Sequence, residues 1–317
     1  MDPILDPQNR RLVLHPIRHD DMWQLFKKAQ HSFWTTEEID FAADKKHYDC
    51  LGPDAQHFVK HIVAFFAASD AIVNMNVEKT LSQIAPLEAQ YFLAFQASME
   101  NTHSETYSVM LQTIIPDGPE RMHMIDAVNT VPAIKLKADW AYSWLETDDF
   151  AERIVAFACV EGIMFSGSFA AVFWLRKQGI MPGFGFANQL ISRDEGLHTE
   201  FAALIYSKLQ RKPSTERIHK IIKSAVDVEC AFIAESLPVA LLGMNNASMC
   251  QYIEFVADFL CPMLGVTKIY NTPNPYEWMD LISLEGKSNF FEGRVAEYAK
   301  AEHESIADAF NDKDDDW

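Results

Sequence analysis

QASMENTHSETY, residues 96–107, places Glu100, His103 and Tyr107 inside an otherwise apolar stretch. The run from Pro86 to Pro116 is rich in Phe, Leu, Ile, Met and Ala and predicts one long helix. At about 100° per residue, His103 and Tyr107 fall within about 60° of Glu100. One helix face thus carries a carboxylate, an imidazole and a phenol into apolar surroundings. A carboxylate buried alone is very costly, so a salt bridge, a proton or a metal ion must offset it.

The rest of the chain reads as helix nearly throughout. Long segments with apolar residues three and four apart are separated by short breaks such as LGPD, IIPDGPE, QGIMPGFG and NTPNP. Strand-like alternation is scarce, and no glycine-rich phosphate loop occurs. With 317 residues, 49% of them hydrophobic, the chain is long enough to bury a substantial core. The expectation is an all-α domain over residues 1–300, its first ~20 residues an extended arm. A flexible acidic tail, residues 301–317, follows it.

A net charge of −18 argues against nucleic acid or an anionic membrane surface as partner. The start, MDPILDPQNRR, lacks the apolar region of a secretory signal. Five widely spaced cysteines suit reduced thiols of a cytoplasmic protein. From Ile154 to Leu175, IVAFACVEGIMFSGSFAAVFWL, the only charge is Glu161. That length can span a membrane. However, a mid-span Glu is expensive in lipid and no second membrane signal flanks it, so no membrane association is expected. A helix buried on all sides of a large bundle gives the same pattern.

A weak repeat now stands out. The helix His61–Val77 has Asp70 as its only formal charge if His61 is neutral, and Glu100-x-x-His103 follows thirty residues after Asp70. Glu161 is likewise solitary, and Glu195-x-x-His198 follows thirty-four residues later. Each interval is long enough for an antiparallel return along a neighbouring helix. Four helices can therefore bring four carboxylates and two imidazoles to one level. This is the ferritin-like pattern of a buried dinuclear metal site. Each feature alone is also what ordinary ion pairing or core packing produces; the ordered set is what favours metal. Hard carboxylate oxygens with one imidazole per ion suit iron or manganese.

Tyr107 lies one turn beyond His103 and points the same way. Phe165 and Phe169 fall within about 80° of Glu161 on its helix, and Ile191 sits one turn before Glu195. As well as packing the core, these three can form a dry wall around the phenol.

The stretches FWTTEEID, HIVAFFAASD, MENTHSETYS, ERIVAFACVEGIMFSGSFAAVFWL, LISRDEGLH and NFFEGRVAEY resemble the small, radical-generating subunit of class I ribonucleotide reductase, eukaryotic and large-DNA-virus type. They span roughly residues 20–300. The resemblance implies a ferritin-like homodimer in which Asp70, Glu100, His103, Glu161, Glu195 and His198 hold two iron ions as an Fe–O–Fe cluster, with a manganese–iron pair as a variant. It implies activation by O2, a stable radical on Tyr107, and delivery of that radical to a large subunit that reduces ribonucleoside diphosphates. By the same resemblance Trp34 and Asp194 continue the line from His103, Arg193 assists it, and Tyr298 hands over to the partner. The acidic tail, with Phe310 and Trp317, is similar to those that dock on the large subunit. The short N-terminus suits a viral or streamlined source, and the expected compartment is the cytoplasm, a host's if the source is viral. Two other readings stay open: a ferritin-like oxidase or hydroxylase with its own substrate, and a non-catalytic storage or support protein.

Overall fold

The computed structural model describes residues 2–236, 245–276 and 279. The chain separates into two compact units, Met1–Pro275 and Tyr276–Trp317, and the helical bundle lies within the first. Tyr298, Phe310, Trp317 and the rest of the tail lie outside the described residues.

Twelve α-helices and no strand occur among the described residues. Two long ones form the first half of the central bundle: α3 (Pro53–Gln83) and α4 (Leu87–Ile114), with α1 (Asp20–His31) and α2 (Asp44–Asp49) preceding them. α3 starts with a proline in its first turn, where the ring's fixed φ suits the helix and no hydrogen bond is lost. Its middle is apolar nearly all round because Phe58, Val59, Ile62, Val63, Phe66 and Val73 are all buried. The stretch QASMENTHSETY lies in α4, which ends two residues before Pro116.

After the short α5 (Pro119–Ile125), α6 (Ala127–Thr130) and α7 (Pro132–Leu145), the apolar segment around Glu161 is reached. It is not one continuous α-helix, as its composition suggests. α8 (Phe150–Cys159) opens into a π turn over Val160–Met164, and α9 (Ser166–Lys177) resumes beyond Phe165. The local signals are Gly162 within the turn and Gly167 just after it, but Gly185 and Gly196 sit in the unbroken α10, so glycine alone does not mark the break. The segment is long and apolar enough to cross a membrane, yet 94% of its most apolar window is buried within the protein, so core packing accounts for it.

The second long arm is α10 (Pro182–Lys208), flanked by α11 (Thr215–Ser236) and α12 (Asn246–Met263). Its start is set by a tertiary cap. Met181 adopts a left-handed φ of 53°, and Asp44 on α2 accepts from the amides of Gly183 (3.0 Å) and Phe184 (2.7 Å). A Cβ on Gly183 would lie 2.3 Å from the Asp40 carbonyl, so only glycine permits this approach.

Residues before α1 form two 3₁₀ turns, Pro3–Leu5 and Pro7–Asn9, with Ile4 buried and its carbonyl bonded to the Ala85 amide at 2.7 Å. Glu88, fully buried in the first turn of α4, ties this arm down. It pairs with the Arg11 guanidinium and accepts from the Arg18 amide at 2.7 Å. Burial raises its pKa, but the donors outweigh it and hold the carboxyl at about 2. Its contribution to stability is complete above the ordinary carboxylate value of about 4.3 and is lost as pH falls through about 4 toward 2. Glu88→Gln is expected to lower stability near neutrality by about 1–3 kcal/mol. The gap to the wild type should narrow in acid; urea unfolding across that pH range checks both.

Candidate metal centre

Four elements each bring part of the cluster to mid-bundle. Asp70 comes from α3, Glu100 and His103 from α4, Glu161 from the π turn, and Glu195 and His198 from α10. All six are buried, from 0% exposed for Glu100 and His103 to 5% for Glu161. The ligand atoms fall into two groups, each within 4.8 Å: Asp70, Glu100 and His103, and Glu100, Glu161, Glu195 and His198.

Both histidines turn Nδ1 inward, and two glutamates straddle them. Glu100 sets one oxygen 2.9 Å from His198 Nδ1 and the other 3.4 Å from His103 Nδ1. Glu195 sets one oxygen 3.2 Å from each. Asp70 and Glu161 stand at the two ends. Asp70 Oδ2, Glu100 Oε2, Glu161 Oε2 and His103 Nδ1 have no hydrogen-bond partner, though each is buried.

The electrostatics follow from that crowding. Burial, with Glu100 adding to it, pushes the Asp70 carboxyl well up; burial and Glu195 do the same to Glu161. Burial acts to lower the two imidazoles, but the carboxylates around them win and raise both well above the usual histidine range. Burial raises Glu195 as well, yet the close approach of Glu161, His103 and His198 leaves it depressed. Two divalent cations fit this donor set: four carboxylates neutralise them, hard oxygens and imidazoles suit iron or manganese, and the orphaned atoms gain partners.

Tyr107 is 1% exposed, and its hydroxyl has no hydrogen-bond partner. Burial first, then the charges of Asp70, Glu195 and Glu100, raises its pKa far above that of a free phenol. Its ring stacks on Phe66, with centroids 4.5 Å apart and planes 11° from parallel. Phe66, not among the expected wall residues, is the partner in direct stacking. Phe169 and Phe165 form the next layer, 5.2 and 6.0 Å from Phe66. Ile191 is buried on α10. A sequence signal for Phe66 exists: it lies one turn before Asp70 on the same face.

On the outer side, His103 Nε2 meets Asp194 Oδ2 at 3.2 Å, and the same oxygen accepts from Trp34 Nε1 at 2.7 Å. Arg193 donates to the other oxygen of Asp194 at 2.9 Å and to the Ser32 carbonyl at 2.6 Å. Trp34, 1% exposed, lies nearly parallel to His103 with ring centroids 5.9 Å apart. The segment carrying it is fixed to α4 by a 2.9 Å contact between the Thr36 and Thr106 hydroxyls. Gln96, absent from the residues expected at the centre, also belongs to it. One turn before Glu100, it donates to Glu161 Oε1 at 2.9 Å.

Comparison with known proteins gives a consistent picture. A family model described as "Ribonucleotide reductase, small chain" matches residues 11–275. The ribonucleoside-diphosphate reductase small chain of Spisula solidissima is 53% identical over 303 residues, covering 95% of this chain and 79% of that one. Subunit M2 of the same enzyme from Homo sapiens is 51% identical over 302 residues, covering 94% and 78%. Among solved structures, the ribonucleotide reductase Rnr4 homodimer of Saccharomyces cerevisiae superposes with a TM-score of 0.82 at 36% identity, covering 94% of this chain and 93% of that one.

Asp194 orients His103 and removes one rotational freedom from Trp34. Asp194→Asn is expected to weaken metal binding about 10–100-fold, the usual cost of losing such an outer partner. Anaerobic Fe(II) titration of the full-length chain measures it.

Proposed function

The chain belongs to the ribonucleotide reductase small-chain family, and from that premise we propose how its residues perform the small subunit's part in reducing ribonucleoside diphosphates. The observation that carries the proposal is a buried phenol without a hydrogen bond beside six buried ligand side chains. Asp70, Glu100, His103, Glu161, Glu195 and His198 are the residues that would hold two metal ions, with Glu100 belonging to both groups of ligand atoms. Retention of Tyr107 supports iron over a manganese–iron pair. When bound, the iron pair with O2 supplies the one-electron oxidising power.

Tyr107 loses one electron to that oxidant and one proton from Oη, leaving a neutral tyrosyl radical. Asp70, which must give up its own proton to hold a cation, is the proton acceptor we assign. Phe66, backed by Phe165, Phe169 and Ile191, keeps water and reductants from the ring. The radical equivalent leaves by the line His103, Asp194 and Trp34, whose hydrogen bonds let protons adjust as the electron moves. Tyr298 then relays it to the large subunit, where the substrate binds.

The acidic tail, residues 301–317, is the docking element, with Phe310 and Trp317 as apolar anchors and its charges steering the approach. A homodimer is the assembly we assign, by likeness to the solved yeast homodimer. The reducing cytoplasm is the compartment, supported by five cysteines that are all unpaired.

Two experiments test this reading. Metal-free protein loaded anaerobically with Fe(II) and exposed to O2 is expected to show a tyrosyl electron paramagnetic resonance signal. Tyr107→Phe should bind the same iron and show none; a persisting signal would place the radical elsewhere. Removing residues 310–317 should leave the radical intact and abolish reductase activity with the large subunit.

A further inference from the structure

Outside the ligand cluster, one buried ion pair takes no part in the radical chemistry. Lys137 on α7 and Glu229 on α11 are 2% and 0% exposed, with Nζ and Oε2 2.6 Å apart. Lys137 Nζ also sits 3.4 Å from the ring centre of Phe65 and 4.0 Å from that of Phe232. Taking two charges into such a place costs several kcal/mol per ion, and a well-packed apolar pair is often as stable or more so. Contribution to stability is therefore a weak reason for the pair.

Its other contacts converge on the π turn. Lys137 Nζ donates to the carbonyl of Met164, the last residue of that turn, at 2.5 Å. The free oxygen of Glu229, Oε1, accepts from the amide of Gly167 at 3.2 Å. Gly167 lies in the first turn of α9, where amides have no carbonyl partner within their own helix. The cation thus holds a carbonyl at the end of the π turn, and the anion holds an amide at the start of the helix after it. Glu229 approaches so closely that a Cβ on Gly167 would be 2.8 Å from its Oε1 and 2.9 Å from Ile233 Cδ1. An apolar cavity lined by Phe65, Ile72, Lys137, Val160, Met164 and Phe165 abuts the same turn.

We propose that Lys137 and Glu229 are a positioning pair that clamps the π turn Val160–Met164 and so fixes where Glu161 projects into the metal centre. The inference rests on the metal-site reading only for its consequence; the clamp itself acts on the backbone. π turns in general are inserted where a functional side chain must leave the regular helical register, and here the clamp keeps the ligand in one register.

The test uses the full-length chain as wild type, Lys137→Met, Glu229→Gln and the double variant Lys137→Met/Glu229→Leu. The double variant removes both charges and replaces them with apolar groups, so its fold is expected to survive even where a single change leaves one buried charge unpaired. Two quantities are read: amide hydrogen exchange of residues 160–169 in metal-free protein, and anaerobic Fe(II) binding. In the double variant, with a melting temperature matching wild type, exchange in that segment should rise about tenfold or more. The weaker Fe(II) site should lose about 10–100-fold in affinity, as expected when outer support is lost. A double variant with wild-type melting, wild-type exchange and wild-type Fe(II) binding overturns the proposal and leaves the pair a packing feature. If wild type itself fails to bind two Fe(II), the metal-site reading falls, and the exchange measurement still decides whether the pair clamps the turn.

Discussion

Four carboxylates converge in the middle of this bundle, shut off from bulk water. Asp70, Glu100, Glu161 and Glu195 are each at most 5% exposed. Ionised and unaccompanied, they would repel one another strongly and forfeit hydration worth several kcal/mol each. The protein answers with counter-groups at the same level: two imidazoles facing inward through Nδ1, and room for cations between the oxygens. Most of the arrangement around the centre serves to keep these groups at one depth. Long, nearly all-apolar helices supply the walls, and the tertiary cap of Asp44 on the start of α10 helps set the axial position of Glu195 and His198.

The two halves of the centre are supported differently. On the His103 side, polar support is dense: Asp194 bonds the imidazole, Trp34 and Arg193 bond Asp194, and Arg193 reaches the Ser32 carbonyl. On the Glu161 side, the ligand sits on a π turn beside a cavity, with Gln96 bonded to its carboxylate and the Lys137–Glu229 pair behind the backbone. One side is built to hold a fixed line of hydrogen bonds. The other depends on a local departure from the α-helix, which needs its own fastening.

Tyr107 shows how a reactive group is kept usable. A phenol at 1% exposure with three carboxylates nearby strongly prefers to keep its proton. Its hydroxyl has no hydrogen bond to lose when that proton leaves, and the ring lies flat against Phe66. The same burial that disfavours the phenolate also disfavours contact with aqueous reductants, so a neutral radical is the oxidised form this environment accommodates.

Much of this is legible in the residues. Glu100-x-x-His103 and Glu195-x-x-His198 share a face because three residues is close to one helical turn, and solitary charges such as Asp70 and Glu161 stand out on apolar helices. Those are local, periodic properties, so one dimension contains them. Phe66 and Gln96 carry the same kind of signal, each one turn from a ligand, but Phe and Gln on such a helix look like ordinary packing. The π turn, the cap on α10 and the meeting of Lys137 with Glu229 are different. The two residues of the pair are 92 positions apart, and the glycine within the π turn, Gly162, is no different from those that α10 carries without a break. Residue order along one helix is enough to show which side chains share a face and which helices can be buried all round. Which backbone groups lose their helical partners, and which distant charges replace them, depends on how separate helices meet.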